Sequence, residues 1–195
     1  MQIYDISQEV FSCKVFPGDP KPERQTLLST EKGDVCNLTA ISMCAHNGTH
    51  IDAPFHFIGE GKTVDQLPLE VFVGDCYVAR HEGNVTAEDA VSILEKAGVP
   101  RILIAGAATV TAEAAQVFAG AGICLLGNES QTVGPEDAPM QVHIILLSKG
   151  IALLEGVVLK GIAEGRYFLS AAPLCLAGAD GAPCRAYLIE NSEVK

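Results

Sequence analysis

The sequence predicts an α/β fold, a single domain over residues 1–195 with a mixed or barrel-like β-sheet flanked by helices, on three observations. Two segments in the middle of the chain carry apolar residues at helical spacing between a capping threonine and a glycine. Short apolar runs bounded by glycine alternate with them, as in an α/β unit. No composition shift, long linker or repeat divides the 195 residues, a length that buries a sizeable core without disulfide or metal staples.

Taken in order, FPGDPKPE (Phe16 to Glu23) packs three prolines and a Gly-Asp pair into eight residues and predicts a rigid turn or loop. A second loop is expected at IGEGKTV, after the histidine-rich stretch considered below. Thr86 can cap AEDAVSILEKA, whose helix Gly98 and Pro100 would stop. RILIAGA then reads as a buried strand, Thr111 opens a second helix over AEAAQVFAG, and GICLLG is again strand-like. The apolar runs IALLEGVVL and YFLSAAPLCLAG follow, and a polar ADGAP turn before RAYLIE could join two strands of an antiparallel pair.

Composition narrows the function. With 13 basic against 24 acidic residues the net charge is −11, and the basic residues are scattered, so no stripe is available to track a phosphate backbone and nucleic acid is not an expected partner. The acidic groups suit a solvated surface. Seven cysteines, odd in number and without a CxxC pair, predict free and mostly buried thiols in a reducing compartment, hence the cytoplasm. The amino terminus lacks a basic segment followed by an apolar one, and IILLSKGIALLEGVVL is interrupted by Lys149 and Glu155, so neither a signal peptide nor a membrane span is expected.

The stretch HNGTHIDAPFH (His46 to His56) gathers three of the five histidines and an aspartate within eleven residues. A lone histidine more often satisfies a buried hydrogen bond or titrates on a loop than binds a metal. Here His46, His50, Asp52 and His56 share parity, and in an extended segment they would project to one side; Gly48, Thr49, Ile51 and Pro54 argue against a helix. Imidazoles with a carboxylate suit Zn²⁺, Mn²⁺ or Fe²⁺, whereas Ca²⁺ takes mainly oxygen. Gly48 can turn the backbone tightly and Pro54 can stiffen it.

HNGTHIDAPFH resembles the HxGTHxDxPxH signature of the cyclase-like metal-dependent hydrolases, a family that includes bacterial kynurenine formamidase and isatin hydrolase. YDIS, FPGD, LLEGVVL and APLCLAGADGAPCRAYL resemble family segments in the same order. The resemblance implies metal coordination by His46, His50 and Asp52, with Asp52 able to bridge two metals, and proton transfer by His56. It also implies that His143 and Glu155, which on local context alone read as a core or helix-surface imidazole and a solvent-facing carboxylate, complete a site for one or two divalent ions. Zinc is the expected ion and manganese the second choice.

The implied reaction is hydrolysis of a small amide or formamide by metal-activated water, and the implied assembly is a homodimer or homotetramer. Phe16 replaces the tryptophan of a family WPGD segment and is the expected substrate contact. LLGNESQTVGPEDAP departs from an expected GIDTPSVDP, so a cyclic amide such as isatin stands beside N-formylkynurenine as a substrate. Two other classes are open: an iron oxygenase built on His50, Asp52 and His143, which leaves His46 and Glu155 unexplained, and a non-catalytic metal-dependent binding protein. His81 is expected on an exposed loop, and the cysteines are expected to be structural.

Overall fold

The structure, a computed structural model, describes residues 1–190; the last five residues of the expected domain lie outside them. The chain opens with strand β1 (Gln2–Asp5). The FPGD turn leads into a hairpin of β2 (Glu23–Leu28) and β3 (Leu38–Ser42), nearly all of whose residues are exposed. The short β4 (His50–Asp52) is followed by β5 (Val73–Arg80) and β6 (Gly83–Val85). The predicted middle of the chain then forms as α1 (Ala87–Ala97), β7 (Arg101–Ala105), β8 (Ala108–Val110), α2 (Ala112–Gly120) and β9 (Leu125–Asn128).

Helix α3 (Met140–Leu147), β10 (Ala152–Glu155), β11 (Gly165–Ser170), β12 (Gly181–Pro183) and β13 (Tyr187–Glu190) complete the fold.

Local chemistry sets these boundaries. At α1 the Thr86 hydroxyl accepts from the Asp89 amide while the Asp89 carboxylate accepts from the Thr86 amide, a reciprocal cap. Gly98 closes the helix at φ +57°, which a residue with a Cβ resists. Thr111 caps α2 in one direction only, its hydroxyl accepting from the Ala114 amide. Helix α3 was not foreseen: MQVHIILL is apolar nearly all round, and such a run does not distinguish a helix from a buried strand.

Nine strands form one curled, half-barrel sheet in the order β1-β13-β11-β5-β7-β9-β10-β4-β12. Its centre, β5-β7-β9-β10, is parallel, with α1, α2 and α3 in the three crossovers. Antiparallel strands flank it on both sides.

Alternation along the strands sorts the core into two layers. Ile102, Ile104, Leu126 and Leu153 join Ile93, Phe118 and Leu146 of the helices. Leu103, Leu125 and Leu154 face the other way, against Ile51, Leu169 and Leu188 from the antiparallel strands. Among the described residues no α-helix covers that second face, so the sheet buries it by curling on itself.

Three expectations are corrected. The ADGAP segment is not a simple turn: Gly181–Pro183 is a strand paired with β4, and the antiparallel neighbours β11 and β13 are joined by the long segment that contains it. The cysteines are free but not mostly buried, since Cys76 is buried while Cys36 and Cys175 are exposed. His81 lies in a loop yet is only partly exposed, its ring held by the Asn84 carbonyl and near Asp89. Among the described residues no helix is long and apolar enough to cross a membrane.

Candidate metal centre

The site lies on the helix-covered face of the sheet, near the edge formed by β12 and its neighbour β4. β4 runs antiparallel to β10 with His50 opposite Glu155 and Asp52 opposite Leu153. Residues opposite one another share a face, so His50, Asp52 and Glu155 all point the same way as Leu153, toward the helices. Ile51 and Leu154, one residue out of phase, pack into the second core layer. Helix α3 covers this corner and brings His143 down between Asp52 and Glu155.

His46 arrives differently. The extended geometry expected from 46 to 56 holds only over His50–Asp52, whereas residues 46–49 form a turn with Gly48 at φ +70° and Pro54–His56 a 3₁₀ turn begun by its proline. The turn folds the His46 ring over Asp52, edge-on to His50. Gly181, opposite Asp52 on β12, makes room for it: a Cβ there would stand 2.8 Å from His46 Cε1 and 2.6 Å from the Ile51 carbonyl.

Each of these three imidazoles has one nitrogen fixed by an oxygen and the other directed at the buried carboxylates. His50 Nδ1–H donates to the Gly48 carbonyl at 2.9 Å, leaving Nε2 3.4 Å from Asp52 and 3.5 Å from Glu155. His143 Nδ1–H donates to the Pro139 carbonyl at 2.8 Å, leaving Nε2 3.2 Å from Glu155 and 3.5 Å from Asp52. His46 Nε2–H donates to Asp180 at 2.8 Å, and Nδ1 lies 2.8 Å from Asp52.

Most of these nitrogen–carboxylate separations exceed the 2.7–2.9 Å or so of a charge-assisted hydrogen bond, and Asp52 Oδ2, fully buried, has no hydrogen-bond partner. Three neutral imidazoles with outer hydrogen bonds and two carboxylates are a donor set that fits a divalent transition metal. These donors fall into two groups, His46-His50-Asp52 and Asp52-His143-Glu155, which share Asp52, and a further group of possible ligands, His46-His56-Asp180, shares His46.

Electrostatics follow from the crowding. Burial pulls the His143 imidazole down, but hydrogen bonds and charge from Asp52 and Glu155 outweigh it and hold the group up at about 10. His50 is raised by the same carboxylates against its burial, and His46 mainly by Asp52. Burial pushes the Asp52 carboxyl up, yet the three surrounding imidazoles bring it well below the usual range. The charged forms of these imidazoles and of the Asp52 carboxylate thus favour one another.

His56 stands beside this group, its ring centroid 4.1 Å from that of His46, and donates Nδ1–H to Asp180 at 3.0 Å. Asp180 Oδ2 therefore accepts from two imidazoles, which together outweigh its burial and keep its carboxyl below the ordinary range. Asp180 escaped the sequence reading because it sits inside ADGAP, where an acidic residue before glycine is ordinary turn chemistry.

The same side chains line a cavity of about 230 Å³, walled also by Phe16, Phe57, Asp19, Gln131, Thr132 and Pro139. All the site residues expected from sequence, Phe16 included, thus border one cavity, together with Asp19 of the FPGD segment, while Phe57, Gln131 and Thr132 join them without a sequence signal.

Comparison with known proteins follows the same lines. A family described as "Putative cyclase" matches residues 4–134, a span that holds His46 to His56 but ends before His143, Glu155 and Asp180. Kynurenine formamidase of Salinibacter ruber is 33% identical over 206 residues, covering 96% of this chain and 97% of that one. Kynurenine formamidase of Bacillus thuringiensis is 36% identical, covering 94% and 95%.

Among solved structures, a potential metal-dependent hydrolase with cyclase activity superposes with a TM-score of 0.84 at 29% identity, over 97% of this chain and 99% of that one. Isatin hydrolase A of Labrenzia aggregata, at 20% identity, shares the fold with a TM-score of 0.83 over 96% and 93%. With two thirds of its length matched by the family and nearly all of it by these relatives, the chain belongs to the cyclase family.

Proposed function

We propose that this chain is a divalent-metal-dependent hydrolase of the carbon–nitrogen bond in a small amide or formamide, with N-formylkynurenine, cleaved to kynurenine and formate, as the leading substrate. The observation that carries this reading is the arrangement of His46, His50 and His143, each with one nitrogen fixed and the other turned on Asp52 or Glu155. The kynurenine formamidases to which the chain is about one-third identical support the choice of bond.

His46, His50 and Asp52 would hold one ion, and Asp52, His143 and Glu155 a second, with zinc the first choice and manganese the next. A divalent metal there supplies Lewis acidity and brings the pKa of water from about 15.7 towards 7. A two-histidine, one-carboxylate oxygenase centre would leave His46 and Glu155 without a role.

His56 carries the proton. With Nδ1–H held by Asp180, its Nε2 accepts a proton from the attacking water and delivers it to the leaving nitrogen, so that water and formamide become amine and formate. Asp180 fixes the tautomer and stabilises the imidazolium formed in between. The rings of Phe16 and Phe57 bound the cavity and suit a flat aromatic group.

A second reading within the same class is an uncharged cyclic amide. It is favoured by the cavity lining, which among the described residues has no Lys or Arg to pair with the carboxylate of N-formylkynurenine.

We assign the protein to the cytoplasm on its free thiols, and to a homodimer or homotetramer on the exposed hairpin β2–β3, which presents Leu27, Leu38 and Ile41 to solvent. The functional test follows loss of N-formylkynurenine and release of formate by purified protein, with metal content measured in parallel and His56→Ala as control. Turnover that depends on His56 is expected; none from metal-loaded protein would reject this substrate and send the test to cyclic amides.

A further inference from the structure

Gln131 and Thr132 lie in the segment between β9 and α3, and the mechanism above leaves them without a task. Both line the catalytic cavity, yet they are only 5% and 3% exposed. Neither the carbonyl nor the amino end of the Gln131 carboxamide has a hydrogen-bond partner, nor does the Thr132 hydroxyl. Buried polar atoms are paired in the great majority of cases because an unmade hydrogen bond is costly, and three together on one cavity wall point to a ligand.

The backbone that carries them is held firmly. Gly156 N–H donates to the Ser130 carbonyl at 2.7 Å, Val133 N–H to the Glu155 carboxylate at 2.8 Å, and Asn128 Nδ2 to the Thr132 carbonyl at 3.1 Å. The two side chains are thus presented on a pinned strip beside the metal-ligand candidates. A carboxamide offers a donor and an acceptor in one plane and a hydroxyl offers either, so together they match a carbonyl or amide group. No Lys or Arg among the described residues lines the cavity to pair with an anion, which makes that group uncharged.

We propose that Gln131 and Thr132 are specificity-determining residues that hydrogen-bond a neutral carbonyl or amide group of the substrate other than the bond being cleaved. The inference rests on the hydrolase reading and names what its substrate must carry. It separates an aryl formamide with an ortho ketone from one without.

The test compares formanilide with 2-acetylformanilide on metal-loaded wild type, Gln131→Leu and Thr132→Val. Wild type should prefer the acetyl compound, and each variant should lose about tenfold in kcat/KM on it while changing formanilide by no more than about twofold, as expected for one discriminating hydrogen bond. Equal losses on both substrates would make the residues packing elements and overturn the proposal, as would an unchanged preference.

If wild type cleaves neither compound, the hydrolase reading fails on these substrates, and calorimetry with 2-aminoacetophenone decides the inference separately. Binding weakened about tenfold by Gln131→Leu upholds it; no binding to wild type, or equal binding to the variant, overturns it.

Discussion

At the scale of single residues, the centre depends on neighbours outside the two ligand groups that share Asp52. Gly181→Ala should lower both Tm and metal content, because its Cβ would meet His46 and the Ile51 carbonyl, whereas Gly59→Ala, in open space, should change neither; thermal melts and elemental analysis of both variants check this. Asp180→Asn removes the carboxylate shared by His46 and His56, so kcat at saturating metal should fall by about 10–100-fold, the usual loss for an outer hydrogen-bond partner. Steady-state kinetics with metal in excess would measure it, and an unchanged kcat would sink the orienting role. Burial pushes the thiols of Cys76 and Cys184 up to about 12, while Cys36 and Cys175 are exposed. Maleimide at neutral pH, followed by peptide mass spectrometry, should therefore label Cys36 and Cys175 first. The motif from His46 to His56 was legible because its candidate ligands sit close in sequence. Asp180 and Gln131 were not, because what distinguishes them is a partner, or the lack of one, found only in three dimensions.

At the scale of elements, the helices with polar ends were readable and the apolar one was not. Thr86 and Thr111 announce α1 and α2, but α3 starts after a proline with no side-chain cap and has no polar stripe to give its period away. Thr86→Ala removes a reciprocal cap and should cost about 1 kcal/mol, read as a lower denaturant midpoint with unchanged m. The carboxylates that α3 brings His143 against also set a pH dependence. His143 is held at about 10 in the metal-free protein, so it is protonated at neutral pH and must give up that proton to become a ligand. Metal affinity should therefore rise with pH from 6 to 9, with proton release on binding. Calorimetry in buffers of different ionisation enthalpy tests this, and binding without proton release would contradict the ligand role. Strand pairing at β12 was misread because three residues of ADGAP join the sheet only through β4, a contact that no local pattern encodes.

At the scale of the whole molecule, the two core layers are apolar and continuous, and neither includes a metal-ligand candidate. Chelation should thus leave the far-UV circular dichroism intact while lowering the melting temperature, since the clustered charges lose their partner but the core does not; loss of secondary structure on chelation would mean that the metal holds the fold itself. The exposed hairpin should make the protein at least dimeric, with a mass by light scattering of about twice the 20.5 kDa chain or a higher multiple, and Ile41→Lys should reduce it. The α/β class and the run from α1 to β9 were legible because that part alternates locally. The curl of the sheet was not, because it arises from a face that no α-helix covers among the described residues. The pairing of β4 with β10 brings residue 50 beside residue 155, and β12 then adds residue 181. During synthesis the amino-terminal histidines must wait, with half a binding site, for more than a hundred residues. The full set of ligand candidates is therefore complete only once β10 is made, and a chain truncated before β10 would lack Glu155 and the strand that pairs with His50.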